Sequence, residues 1–308
     1  MRKNYAAFVE SLRRSIMTVT DLREDQVYFV KAEENPADSG DCLLLECGVQ
    51  ANLKEVCALH VDDLYEHYQR GISLEKIIGD AMEQFEAVRN EENISKVLSL
   101  ADFGKIKNDL FVRLLNAERN REMLKDVVHR VVGDIALVLY LRLNETEAGF
   151  ASLKIPENFF EKWGMTREAI FEHALLNTYY MNPPRVYQWQ KMLYDSDYSG
   201  ENFMDLMTGF RFQNNPSGDC LSTTRRTNGA VAVFLPGVAE RIAQLIGHGF
   251  YMVFTSIHEV MIHNDELVEV NQLRQVLKET IEEATPEEDF LSYYIYHYNK
   301  ETGEITYY

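Results

Sequence analysis

Apolar positions along the chain repeat at two periods, and the alternation between them outlines the fold. Tyr5, Phe8, Val9, Leu12 and Ile16 recur every three or four residues, which predicts an amphipathic helix at the start. The β-branched and aromatic runs Gln26–Ala32 and Asp41–Val49 then read as strands. Turn-forming residues over Glu34–Gly40 make them a hairpin with a long loop. From Asp62 the period is helical again. Gly71 stops one helix and Ser73 caps the next, which runs to about Asn90 with Leu74, Ile77, Ile78, Met82 and Phe85 on one side. The polar stretch Arg89–Ser95 marks a lobe boundary.

Beyond it, Met123, Val127 and Val131 align as one face of a helix over Arg119–Val131, with Gly133 as terminator. Ile135–Leu143 is apolar at nearly every position, the pattern of a strand covered on both faces. Phe150–Ile155 follows a turn and reads as its antiparallel partner. A short helix from Pro156 ends at Trp163-Gly164, and Thr166 caps Arg167–Thr178. Asn182-Pro183-Pro184 breaks the chain, and Arg185–Ser222 is irregular, with one or two helical turns predicted within Phe203–Phe210. Gly229–Leu235 then reads as strand, Val238–Ile246 as helix and Phe250–Phe254 as strand. His258–Ile262 continues that strand or forms a second one. A long helix over Glu266–Glu283 and a tyrosine-rich hairpin complete the chain. Hairpins among helices predict an α+β protein: a mainly antiparallel sheet flanked by helices, with a smaller N-terminal α/β lobe. Residues 1–94 are expected to form that helix-hairpin-helix lobe and 95–308 the main domain, with one continuous unit as the alternative.

Composition narrows the function. The 308 residues carry 31 basic and 49 acidic side chains, a formal charge of −18. Such a surface opposes general binding to nucleic acid and to anionic membranes. No apolar run reaches the ~20 residues of a membrane span, and the run Ala6–Val9 is too short for the apolar core of a signal peptide, so a cytoplasmic location is expected. The four cysteines then read as reduced thiols.

Candidate chemistry concentrates late in the chain. Ser256, His258 and Glu259 lie within TSIHEV and supply the residue types of a nucleophilic triad. Residues this close on one extended segment cannot face one another, however, and no G-x-S-x-G elbow surrounds the serine. His258 and His263 are five apart, not four as a helical zinc motif requires, so extended backbone would make their rings diverge. Cys42, Cys47, Cys57 and His60 lack the tight pairs of a structural zinc site. No metal and no cofactor is predicted. Arg211, Arg225, Arg226 and Asn228 suit a phosphate or carboxylate ligand, or else the arginines are solvated or paired with nearby acids such as Asp219. Asp134, between apolar runs, is either a buried acid or a turn acceptor.

Taken in order, Tyr65–Ile78, Asp134–Leu143, Trp163–Thr178, Asn228–Pro236, Thr255–Ile262 and Phe290–Asn299 resemble an uncharacterised bacterial family, the domain of unknown function 5688 family. The resemblance implies a single evolutionary unit of intracellular bacterial origin and carries over no activity. Three readings follow. The first is a binding or interaction protein whose partner, with another protein as the candidate, meets Arg185–Ser222 and the adjacent sheet end. The second is an enzyme of unrecognised type, with a hydrolase as the candidate class, using His258 or Glu259. The third is an acidic decoy that inhibits a nucleic-acid-binding protein.

Overall fold

The computed structural model describes residues 2–20, 22–31, 40–50, 53–88, 96–97, 99–146, 149–188, 191, 194–195, 198–213 and 215–308. The loop predicted over Glu34–Ser39 and the boundary at Arg89–Ser95 lie outside them, as do the side chains of Cys47 and Cys57. The chain divides into two compact units, one of Met1–Ser99 with Leu143–Ala151, the other of Leu100–Arg142 with Ser152–Tyr308.

In the first unit, helix α1 (Arg2–Thr20) buries Phe8, Leu12 and Ile16, the stripe its period foretold. Strand β1 (Val27–Val30) pairs antiparallel with β2 (Cys42–Gln50), placing Val27 opposite Leu45 and Phe29 opposite Leu43. A third strand, β3 (Leu53–His60), completes the sheet in the order β1-β2-β3. It escaped the sequence reading because Lys54 and Glu55 interrupt its apolar run. Helices α2 (Val61–Gln69) and α3 (Leu74–Val88) follow; Gly71 adopts φ +89° between them, and the Ser73 hydroxyl accepts the Lys76 amide at 3.3 Å. Ile78 and Ala81 of α3 join α1 and the sheet residues in one apolar core.

The second unit contains two sheets. In one, β6 (Ile135–Thr146) is central, between β4 (Leu110–Asn116) and β5 (His129–Val132), and β7 (Gly149–Lys154) also pairs with it. Residues Ile135–Leu141 are all buried, as a strand covered on both faces requires. The helix predicted over Arg119–Val131 is corrected here: only Arg121–Leu124 is helical, and the chain then extends into β5. The β-branched run Val127–Val132 favours pairing with β6 over helix, and Gly133, at φ +63°, turns the β5–β6 hairpin instead of ending a helix.

Helix α4 (Arg167–Met181) begins where Thr166 accepts the Ala169 amide at 3.3 Å and ends before the proline pair. It packs on β4, where the Thr178 hydroxyl accepts the Val112 amide at 3.0 Å. The second sheet is antiparallel in the order β13-β12-β10-β11-β9-β8, built from β8 (Pro184–Tyr187), β9 (Asp219–Thr223), β10 (Phe250–Val253), β11 (Val260–Asn264), β12 (Ile295–Tyr298) and β13 (Ile305–Tyr307).

Four further expectations change in this unit, the first being the span Arg185–Ser222, read as irregular, whose two ends belong to β8 and β9. Gly229–Phe234 is a buried 3-10 turn, not a strand. Gly229 lies so close to Ser222 Oγ and the His258 carbonyl that no side chain fits, and a wholly apolar run does not reveal its own period. Phe203–Phe210 forms turns without a helix. The tract near residue 260 is not extended throughout, because Phe254–Glu259 bends between β10 and β11. The bend is held by its own polar groups: Ser256 Oγ accepts the His258 amide at 3.0 Å, and the Ile257 amide donates to the Asp289 carbonyl at 2.8 Å. Helix α5 (Val238–Ile246) matches its prediction. Helix α6 (Val270–Ala284) buries Leu273, Leu277 and Ile281 against Val253, Phe290 and Ile295.

Candidate functional site

One end of the second sheet opens into a cleft of about 600 Å³. Three kinds of element wall it. Strands β9 and β11 contribute Asp219, Ile262 and Asn264, helix α5 contributes Arg241, Gln244, Leu245 and Ile246, and the irregular segment contributes Leu206 and Gly209–Gln213. His248 and Glu266 lie at the edge, 3.1 Å apart between Nδ1 and Oε1. Its volume lies in the range of small-molecule sites, and its lining is divided about evenly between polar and apolar groups.

Asp219 is the unusual member. All five positions of β9 are buried, so the strand carries its carboxylate inside; Asp219 is 4% exposed and pairs across the sheet with Ile262. Its Oδ2 accepts the Gln213 amide at 3.0 Å. Burial pushes its pKa up to about 6, opposed in part by that hydrogen bond, and no cationic side chain offsets the desolvation. The nearby-acid role suggested for it beside Arg225 and Arg226 does not arise, since among the described residues it forms no ion pair. Arg211 is exposed on the cleft wall and is likewise without an ion pair among the described residues. Arg241 is half-buried, with Nε donating to the Phe203 carbonyl at 3.2 Å. Cys220, next to Asp219, is buried and its thiol is pushed up to about 12 by desolvation and then by the charges of Glu259 and Asp219, the opposite of an activated nucleophile.

The other predicted residues gather at the far end of β11. Asn228 and His258 meet there: the Asn228 amide donates to His258 Nδ1 at 3.0 Å, and His258 Nε2 lies 3.2 Å from Asp289 Oδ1. Both ring nitrogens are therefore engaged. The proton rests on Nε2, and none is free to take one from Ser256. Ser256 is buried in the bend, and the Thr255 hydroxyl donates to Glu259 at 3.3 Å. The imidazole acts as a clasp on the turn Thr224–Gly229, where Arg226 and Asn228 both hold left-handed backbone at φ +56° and +53°. Arg225 and Arg226 are exposed on that turn, and the Arg226 guanidinium lies 5.7 Å from the Tyr187 ring centre. Arg211 is not brought to them; it belongs to the cleft.

His263 is engaged separately. It is buried, shares Nδ1 with the Pro216 carbonyl at 3.1 Å, and is held by burial below the ordinary histidine pKa. Asp134 is a turn acceptor: Ser292 and Tyr296 each donate a hydroxyl to its Oδ1 at 2.6 Å, tying the β5–β6 hairpin to the neighbourhood of β12. Burial and this bond raise the Tyr296 phenol well above its usual range. Asp219 enters the sequence reading only as an acid near the arginines, and Arg241 and Asn264 do not enter it at all. A lone acid opening an otherwise buried strand is the one signal that pointed to the first; the others are brought in by packing.

Fold and cleft together define an α+β protein with antiparallel sheets and a polar-apolar pocket at one sheet end. The chain belongs to the family of unknown function DUF5688, whose profile matches residues 5–300 of 308. No curated protein and no solved structure matches it. Among the described residues, no helix is long and apolar enough to cross a membrane.

Proposed function

We propose that this chain is a binding protein and that the cleft beside Asp219 is its ligand site. The observation that carries this reading is a buried carboxylate without a counter-ion on the wall of a ligand-sized pocket. Burying an unpaired carboxylate is costly, so its retention at a cleft fits a role in recognition. The irregular segment that the sequence marked as a recognition surface supplies one wall. The hydrolase reading has no such support, because the hydrogen bonds of His258 commit it to the turn and Ser256 to the bend. The decoy reading would present the acidic stretch Glu279–Asp289, and Asp289 of that stretch faces His258 instead. The net charge of −18 supports a partner other than nucleic acid.

The test is a ligand-detected NMR screen of small polar compounds against the full chain and against Gln244→Trp. Gln244 is an exposed position of α5 on the cleft wall, so the indole obstructs the pocket without entering the core. Binding compounds are expected to be lost in the variant. Hits that bind both proteins equally would place the site elsewhere.

A further inference from the structure

Two charges of opposite sign line the cleft without neutralising each other. Asp219 sits in the wall formed by β9, and Arg211 sits on the irregular segment; each is without an ion pair among the described residues. Arg241 adds a second guanidinium, anchored through Nε to a backbone carbonyl. Unlike charges held apart in one pocket match a ligand that carries both. We propose that the ligand is a zwitterion of the amino-acid or short-peptide class, its ammonium group taken by Asp219 and its carboxylate by Arg211 and Arg241. This rests on the cleft being the binding site, as proposed above. The pocket volume of about 600 Å³ accommodates a molecule of that size, and Leu206, Phe210 and Ile262 offer apolar contact to its side chains.

Proton linkage supports the assignment. Only the ionised carboxylate attracts an ammonium group, and burial raises the Asp219 pKa to about 6, so affinity should weaken as pH falls through that value. Other titratable or charged groups facing the cleft are Arg211, Arg241, His248 and Glu266, and Cys220 is the strand neighbour of Asp219. An Asp219→Asn variant separates the contribution of the carboxylate from the His248–Glu266 pair.

The experiment is calorimetric titration of the full chain with four alanyl-alanine dipeptides: free at both ends, N-acetylated, C-amidated, and capped at both ends. Tightest binding is expected for the free dipeptide, with either cap weakening it at least about tenfold, the loss of one charged hydrogen bond. Below pH 6 its affinity should fall by up to about tenfold per unit, while that of the acetylated form stays level. Asp219→Asn should abolish the acetylation penalty alone, and Arg211→Gln should reduce the amidation penalty alone. Thermal melts check that both variants fold; if one does not, the capped dipeptides and the pH series on the natural chain still decide. Equal binding of all four, or of none, overturns the zwitterion. The cleft as a binding site would survive that result if the screen still yields compounds sensitive to Gln244→Trp.

Discussion

Asp219 shows how one side chain can oppose the fold that holds it. Its pKa of about 6 stands above the ordinary value of 3.8. Well below pH 3.8 the carboxyl is protonated in folded and unfolded chains alike and costs nothing. As pH rises from about 4 to about 6 the unfolded chain ionises first, so stability is lost across that window, on the order of 3 kcal/mol in all. Asp219→Asn keeps an oxygen for the Gln213 amide and removes the charge. Its urea midpoint is expected to exceed that of the natural chain at pH 7.5 and to converge on it towards pH 3; equal midpoints across the whole range would show that the carboxylate is solvated. His263 acts with the opposite sign. Held below its ordinary 6.5 by burial, it contributes stability that is lost as pH falls below that value. The difference between Asp219→Asn and the natural chain cancels this second effect. No residue pattern announces either shift, because both arise from burial, and burial depends on strands distant in sequence.

At the scale of elements, local signals were read well where they act locally. The Thr166 cap, the glycine stop at Gly71, the proline break after Met181 and the span of Val238–Ile246 all follow from groups a few residues apart. Errors fell where an apolar run satisfies two periods. Val127 and Val131 fit a helix face, yet β6 offered an unpaired edge and β5 took it. Gly229–Phe234 reads as strand, yet close approach to Ser222 and His258 coils it into a tight turn. That turn also yields a prediction. His258 receives the Asn228 amide and faces Asp289, so His258→Ala leaves both without a partner and should cost about 1–3 kcal/mol. Hydrogen exchange should accelerate at the Asn228 and Ala230 amides while helix α4 stays protected. Unchanged exchange at Asn228 would mean the turn is held without the imidazole.

For the whole molecule, each of the two units has a residue that probes its packing. Ile16 is fully buried in the first, and Gly133 in the second turns at φ +63° against the Tyr296 hydroxyl, where a methyl group finds no room. Ile16→Ala should cost about 2–5 kcal/mol and Gly133→Ala about 2–4 kcal/mol. Scanning calorimetry is expected to resolve two transitions, each variant lowering a different one; a single transition displaced by both would show one cooperative body. The linear chain by itself determined the α+β class, the family and most helix boundaries, since period, caps and breakers act over a few residues. It also carried the acidic balance that argues against nucleic acid. Only the tertiary structure decided which charges stay unpaired and which histidine nitrogens are spent. Those depend on what β9, β11, α5 and the irregular segment bring within a few ångströms, and contacts of such long sequence separation leave no periodic trace.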